Sequence, residues 1–151
     1  PPYSGEIKKD QMRINEHTDY GSITLLWRFD DVPGLQVFDR GKEEWIDVPM
    51  IENSIVLNVG DMLQRWTNDL LKSTPHRVIN TEMTRSRYSM PYFVDPGRDV
   101  IIDNLTDQTD KYPPISANDY LKWRLAQSYT DNNYIENEDV ADEGAKHITN
   151  Y

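Results

Sequence analysis

Residues 17–27 read His-Thr-Asp-Tyr-Gly-Ser-Ile-Thr-Leu-Leu-Trp, and they link a β-strand to a candidate metal site. In an extended strand, residues two apart project to the same face, so His17 and Asp19 would lie side by side while Thr18 points away. His76, on a distant predicted strand, would add a second imidazole. Two imidazoles and one carboxylate suit a non-haem Fe(II) ion that keeps coordination positions open for dioxygen.

Short apolar segments separated by Gly, Pro, Asn and Asp extend on both sides of this stretch. Residues 54–59 form a continuous apolar run, which predicts a strand that is buried on both faces. Seven or eight short strands at this spacing predict an all-β sandwich or barrel of antiparallel strands. Besides a strand that begins near Met12, the predicted strands are Ile23–Trp27, Leu35–Phe38, Trp45–Val48, Ser54–Val59, Met62–Trp66, Pro75–Ile79 and Tyr88–Val94.

The pattern changes after two consecutive prolines at 113 and 114. Ser116 and Asp119 have the spacing of a capping box, with Asp in place of the usual Glu. A helix over roughly 117–129 is therefore predicted to pack on the strands, through the face that carries Ala117, Leu121, Leu125 and Ser128. We accordingly divide the chain into a β core at 1–112, a helical segment at 113–130 and an acidic tail at 131–151.

The composition excludes several classes of protein. The 151 residues carry a net charge of −10, and residues 131–151 hold six acidic side chains and one lysine. Such acidity argues against binding to a nucleic-acid backbone and against binding to an anionic membrane surface. No segment is long and apolar enough to span a membrane, and the first residues show no secretory signal, so we expect a cytoplasmic protein.

Any metal in this chain must be held by His, Asp or Glu, because the sequence contains no cysteine. Disulfides, iron–sulfur clusters and thiolate zinc sites are excluded. There are three histidines, and His147 lies in the acidic tail, where we expect it to be solvated. Asn58, Gly60 and Asp61 are interpreted as turn residues.

A series of motifs in a fixed order carries a family resemblance. The series includes His-Thr-Asp-Tyr-Gly (17–21), Pro-Gly-Leu-Gln-Val (33–37), Asn-Val-Gly-Asp-Met-Leu-Gln-Arg-Trp-Thr-Asn (58–68), Lys-Ser-Thr-Pro-His-Arg-Val (72–78) and Arg-Tyr-Ser-Met-Pro-Tyr-Phe (87–93). From about Met12 to Phe93 the chain resembles the catalytic part of the isopenicillin N synthase-like family of Fe(II)- and 2-oxoglutarate-dependent dioxygenases. The resemblance implies a double-stranded β-helix, or jelly roll, with a C-terminal helix.

The resemblance also implies roles for individual residues. His17, Asp19 and His76 match the catalytic iron ligands, and Arg87 and Ser89 match the pair that holds the far carboxylate of 2-oxoglutarate. A guanidinium fork suits such a carboxylate because it donates two charge-assisted hydrogen bonds. The implied cofactors are Fe(II), 2-oxoglutarate and dioxygen. The implied reaction oxidises a small organic molecule, by default through hydroxylation, and releases succinate and CO2.

The chain also departs from the family pattern. It starts at Pro1 without an initiator Met, and it lacks the Asn-x-Tyr-Pro stretch and the helical N-terminal segment of the family, which suggests a processed chain or a fragment. The large sheet should then expose an apolar face, or that segment or another chain should cover it. Two alternatives stay open: an oxidase of the same fold that does not use 2-oxoglutarate, and a non-catalytic fragment or binding domain.

Overall fold

The computed structural model describes residues 12–81 and 85–128. The predicted acidic tail at 131–151 and His147 therefore lie outside the described residues. None of the described helices is long and apolar enough to cross a membrane. In chain order the elements are β1 (Ile14–His17), β2 (Ile23–Arg28), β3 (Leu35–Asp39), β4 (Glu44–Asp47), β5 (Ile55–Val59), α1 (Asp61–Trp66), β6 (His76–Val78), β7 (Ser89–Val94), β8 (Ile101–Ile102), β9 (Ile115–Ser116) and α2 (Ala117–Ser128).

Two antiparallel sheets contain most of the described strands. One sheet has the strand order β1-β6-β3-β4, the other has the order β5-β2-β7, and β8 pairs with β9. Strands that are distant in sequence are therefore neighbours, and His17 on β1 lies opposite His76 on β6. Antiparallel sheets followed by a C-terminal helix agree with the predicted all-β class.

The central strand β2 separates the two faces of the three-stranded sheet. Side chains alternate along a strand, so Thr24 faces one side while Leu25 faces the other. Thr24 is buried and lies opposite Asn58 of β5, whereas Leu25 lies opposite Leu57. We call the side of Thr24 and Asn58 the inner face of this sheet and the side of Leu25 and Leu57 its outer face.

The outer face corrects the prediction that residues 54–59 are buried on both sides. Ile55 is 46% exposed and Leu57 is 58% exposed. Met90 and Tyr92 of β7 lie on the same face, where they are opposite Trp27 and Leu25, and both are exposed. A run of apolar residues predicts a strand that is apolar on both faces. It does not show which of the two faces is exposed among the described residues.

Residues 61–66 correct a second prediction, because they form helix α1 and not a strand. The N–H groups at the start of the helix bond to carbonyls of the turn at 19–21, at 2.8 Å for Asp61 to Asp19. Met62 and Arg65, three residues apart, are both buried. The predicted strand, residues 62–66, has mixed polarity and could form either a short strand or a short helix. The contacts with the turn favour the helix.

Helix α2 begins with the predicted cap, but only part of its predicted inward face is buried. The Ser116 hydroxyl accepts a hydrogen bond from the Asp119 N–H at 3.1 Å and donates one to the Asp119 carboxylate at 2.7 Å. Ala117 and Tyr120 pack into the core with Met62 and Ile102, while Leu125 on the predicted face is 39% exposed. The large ring of Tyr120, which is only 1% exposed, supplies apolar contact that the prediction did not include.

Candidate metal centre

The pairing of β1 with β6 brings two imidazoles together. The ring centroids of His17 and His76 are 4.2 Å apart. Asp19 lies just beyond the end of β1, and its Oδ1 is 3.8 Å from Nε2 of His17 and 3.6 Å from Nε2 of His76. One ligand atom from each of the three side chains lies within 4.8 Å of the other two. The structure thus places together the three residues that the sequence predicts as metal ligands.

Hydrogen bonds orient both imidazoles in the same way. Nδ1 of His17 lies 2.7 Å from the carbonyl of Asn15, and Nδ1 of His76 lies 3.1 Å from the carbonyl of Thr74. A carbonyl only accepts, so each Nδ1 carries the proton and donates. Each Nε2 then keeps its lone pair for a metal, in the arrangement that metal-binding histidines adopt.

The two oxygens of the Asp19 carboxylate have different neighbours. Its Oδ2 accepts hydrogen bonds from the Thr24 hydroxyl at 2.6 Å and from the Asn58 amide at 2.8 Å. Its Oδ1 faces the two Nε2 atoms. Because the side chain is only 8% exposed, its negative charge is buried, and a bound cation would compensate that charge. The donor set therefore fits a divalent metal.

Two residues that hold Asp19, Thr24 and Asn58, are not predicted from the sequence as part of the site. Asn58, predicted to be a turn residue, lies on β5 opposite Thr24 of β2. Both are polar side chains within otherwise apolar strands, Ile-Thr-Leu-Leu-Trp and Ile-Val-Leu-Asn-Val. That shared irregularity could have identified them, but only if the register between the two strands had been known.

Gly60 lets α1 approach the turn that carries Asp19. Its N–H donates to the carbonyl of Ser22 at 2.8 Å. A Cβ atom at this position would lie 2.3 Å from the carbonyl oxygen of Gly21 and 3.0 Å from that of Asp19. Only glycine fits so close to backbone atoms, so Gly60 has a packing role that its interpretation as a turn residue did not include.

Arg87 and Ser89 lie together, as the sequence predicts for a carboxylate-binding pair. Nη1 of Arg87 donates to the Ser89 hydroxyl at 3.3 Å, and Nε of Arg87 is buried without a hydrogen-bond partner among the described residues. Burial lowers the pKa of Arg87, and the nearby Arg28 lowers it further. Ser89 pairs with Arg28 of β2, so it shares the inner face with Thr24. A half-buried guanidinium with an unused N–H is suited to bind an anionic ligand.

Two aromatic residues of β7 lie on opposite faces of the sheet. Phe93 is opposite Thr24 on the inner face and is 57% exposed, so it offers an apolar surface beside Asp19. Tyr92 lies on the outer face, where it is opposite Leu25. The register thus separates one aromatic residue near the metal centre from another that faces away.

Comparison with known proteins identifies the family. The sequence profile of the 2OG-Fe(II) oxygenase superfamily matches residues 3–96, more than half of the chain. The 2-oxoglutarate-Fe(II) type oxidoreductase hxnY of Emericella nidulans is 38% identical over 136 residues, which cover 84% of this chain and 38% of that protein. 1-Aminocyclopropane-1-carboxylate oxidase 3 of Arabidopsis thaliana is 41% identical over 112 residues, which cover 72% of this chain and 34% of that protein.

A solved structure supports the same assignment. A full-length protein of Neurospora crassa, crystallised in complex with alpha-KG and thymine, matches with a TM-score of 0.72 at 43% identity, over 79% of this chain and 38% of that chain. The likeness confirms the predicted double-stranded β-helix. This chain spans less than two fifths of the length of these relatives. By its sequence and its fold, the chain belongs to the 2OG-Fe(II) oxygenase superfamily.

Proposed function

We propose that this chain is the catalytic part of a dioxygenase that uses Fe(II) and 2-oxoglutarate. His17, Asp19 and His76 would hold the metal, and Arg87 and Ser89 would hold the far carboxylate of 2-oxoglutarate. The observation that carries the proposal is the convergence of Asp19 Oδ1 with two Nε2 atoms whose rings are already oriented by backbone carbonyls. Membership of the superfamily supports the same chemistry.

Each residue of the centre has a task that follows from its contacts. The two histidines would bind through Nε2, because Nδ1 of each ring donates to a carbonyl. Thr24 and Asn58 hold Oδ2 of Asp19 and so favour binding through Oδ1 alone. When bound, Fe(II) supplies dioxygen activation, and 2-oxoglutarate supplies two electrons as it loses CO2 and becomes succinate.

Arg87 orients the co-substrate in this proposal. Its charge and its unused Nε–H favour a carboxylate, and the Ser89 hydroxyl adds a further donor. Arg28, which lies opposite Ser89, strengthens the positive potential there. The exposed ring of Phe93 provides an apolar wall where a substrate can lie while water is displaced.

We propose a small organic molecule as the substrate, with hydroxylation as the default outcome. The net charge of −10 argues against a nucleic-acid substrate. A related solved structure holds the small molecules alpha-KG and thymine. The cytoplasmic location expected from the sequence stays a prediction.

A second candidate is an oxidase of the same fold that does not use 2-oxoglutarate. The chain is similar to 1-aminocyclopropane-1-carboxylate oxidase 3, and the name of that protein specifies a substrate with a carboxylate. This similarity supports the oxidase as a second candidate. In that case Arg87 and Ser89 would hold the carboxylate of the substrate. The third interpretation, a non-catalytic binding domain, predicts metal or 2-oxoglutarate binding without any turnover.

We further propose that the outer face of the three-stranded sheet is covered in the native protein. Leu57 and Tyr92 are exposed there beside Leu25, and monomeric proteins rarely leave such contiguous apolar patches bare. The cover would be a protein segment outside the described residues or another chain.

Release of succinate from 2-oxoglutarate tests the proposed activity. We expect Fe(II)-dependent succinate formation by the protein that contains this chain, and none from a variant with Asp19→Ala. An Asp47→Ala variant, in which an exposed carboxylate on β4 is removed, is the control and should keep the activity. Oxygen consumption without succinate would favour the oxidase, and binding without either would favour the non-catalytic domain.

A further inference from the structure

Thr18, the residue between His17 and Asp19, is held by a residue that is not one of the proposed ligands. Its hydroxyl points away from the ligands and donates to Oδ2 of Asp61 at 2.9 Å. Asp61 is itself buried, and its backbone N–H donates to the carbonyl of Asp19 at 2.8 Å. Asp61 therefore contacts the ligand segment at two consecutive residues.

Helix α2 supplies the charge that balances Asp61. Nη2 of Arg124 donates to Oδ2 of Asp61 at 2.5 Å and lies 3.3 Å from the Thr18 hydroxyl. The Arg124 side chain is 15% exposed and that of Asp61 is 3% exposed, so this is a buried ion pair. Breaking one partner of a buried pair leaves the other charge uncompensated, and nearby structure must then rearrange.

The same arginine also contacts the residue on the other side of Asp19. The guanidinium carbon of Arg124 lies 4.8 Å from the centroid of the Tyr20 ring. The Tyr20 hydroxyl forms a short hydrogen bond with the hydroxyl of Ser128, one helical turn further along α2. Both neighbours of Asp19 are thus attached to a helix that lies more than 100 residues away in the sequence.

We propose that Arg124 is a positioning residue for the metal centre. By holding Asp61 and Thr18 and by stacking on Tyr20, it fixes the backbone of residues 17–20 and therefore the direction of His17 and Asp19. The position of α2 is thereby coupled to the affinity for the metal. This inference rests on the proposed metal site, and it assigns to the C-terminal helix a role beyond covering the β core.

A purely structural role for Arg124 makes a different prediction. In that case its loss would lower the stability of the whole fold and would leave the metal affinity of the folded protein unchanged. Arg65 provides a matched control, because it is also a buried arginine near aromatic rings, Tyr112 and Tyr120, and donates to the carbonyl of Pro113. Loss of Arg65 should destabilise the protein without moving residues 17–20.

The test is an anaerobic titration with Mn(II) as the probe, on the wild type and on Arg124→Gln, Arg124→Lys, Thr18→Val and Arg65→Gln. Thermal unfolding without metal measures the stability of each variant separately. Visible absorption of bound Co(II) reports whether the geometry of the occupied site has changed. Arg124→Lys keeps the charge but loses the fork and the planar stack, so it distinguishes these contributions.

We expect Arg124→Gln to weaken Mn(II) binding about 10-fold, the lower end of the range found for direct partners of metal ligands, because Arg124 contacts residues beside the proposed ligands and not the ligands themselves. Arg124→Lys should recover part of this loss, and Thr18→Val should show a smaller loss in the same direction. The Co(II) spectrum of Arg124→Gln should differ from that of the wild type. Arg65→Gln should bind Mn(II) like the wild type even if it unfolds at a lower temperature.

Two results would overturn the positioning role. One is a folded Arg124→Gln variant with wild-type Mn(II) affinity, and the other is an equal loss of affinity in Arg65→Gln. If Arg124→Gln does not fold, the positioning role is overturned when both Arg124→Lys and Thr18→Val bind Mn(II) with wild-type affinity. A wild type that binds no Mn(II) would instead contradict the proposed metal site itself.

Discussion

The two faces of the three-stranded sheet have the same strands and opposite chemistry. On the inner face, Thr24 and Asn58 direct their polar atoms to a single oxygen of Asp19. On the outer face, Leu57 and Tyr92 are exposed on either side of Leu25, and within residues 12–81 and 85–128 no hydrogen bond orients their side chains. Alternation along a strand therefore builds an oriented site on one side and a non-directional apolar surface on the other.

This difference determines how each face should respond to substitution. Hydrogen bonds are directional, so a small change on the inner face alters the position of a ligand atom. Apolar contact depends mainly on buried area, so the outer face should tolerate substitutions that keep its character. The following predictions test whether the two faces are independent in this way.

The largest expected effect is at Arg87, two residues before strand β7, which contributes to both faces. Truncating one partner of a buried charge pair costs on the order of 2–5 kcal/mol. At about 1.4 kcal/mol per decade, Arg87→Gln should weaken 2-oxoglutarate binding roughly 30- to 4000-fold. Arg87→Lys should also fall well short of the wild type, because it loses the fork. Titration of 2-oxoglutarate into the Mn(II)-loaded protein measures this effect.

The control for Arg87 is the metal affinity of the same variants, which should stay near the wild-type value because Arg87 is not a proposed ligand. Equal 2-oxoglutarate affinity in the wild type and both variants would mean that Arg87 is structural. If the wild type consumes oxygen with a substrate but does not use 2-oxoglutarate, the oxidase replaces the dioxygenase as the proposed function.

A smaller effect is expected at Asn58, and its neighbour on β5 provides the sharpest control. Asn58→Ala removes a hydrogen bond to Asp19 and should weaken Mn(II) binding about 10- to 100-fold. Leu57→Ser, one residue earlier and on the opposite face, should leave that affinity unchanged. Isothermal titration on both variants compares the two faces directly. Similar losses in both variants would contradict the independence of the faces.

The smallest effect at the metal centre is expected from the outer face. A combined Leu57→Ser and Tyr92→Ser variant should bind less of a fluorescent hydrophobic dye, because two large exposed apolar side chains are gone. Its Mn(II) affinity should stay within about twofold of the wild type, since both side chains lie on the face opposite to Thr24 and Asn58 and surface substitutions away from a site usually have small effects. Unchanged dye binding would show that this surface is not the principal exposed apolar patch.

The sequence identifies the three side chains of the candidate metal site better than it identifies the residues around them. His17, Asp19 and His76 can be found because residue type and strand spacing together restrict the chemistry. The partners of Asp19 cannot, because Thr24 and Asn58 meet only through the register of β2 with β5. Register depends on the whole sheet and is not visible in either strand alone.

The helices show the same limit for a different reason. The cap at Ser116 is local, and its prediction is confirmed. The predicted inward face of α2 is only partly right: Ala117 is buried as predicted, whereas Leu125 is 39% exposed and Tyr120, which the prediction did not include, is 1% exposed. Helix α1 is missed because its first N–H groups bond to a turn some 40 residues earlier in the chain. Contacts with residues distant in the sequence determine both the buried face of α2 and the formation of α1, and apolar periodicity within a segment does not report such contacts.

The central claim is that His17, Asp19 and His76 bind one divalent metal, and an anaerobic titration of three proteins tests it most directly. With Fe(II) or redox-inert Mn(II), the wild type should bind one equivalent, whereas Asp19→Ala and His76→Ala should show no saturable binding. Circular dichroism should show that both variants keep their β structure, because neither side chain belongs to the apolar core, although Asp19→Ala also leaves Thr24 and Asn58 without their shared acceptor. Unchanged metal affinity in both variants would contradict the account.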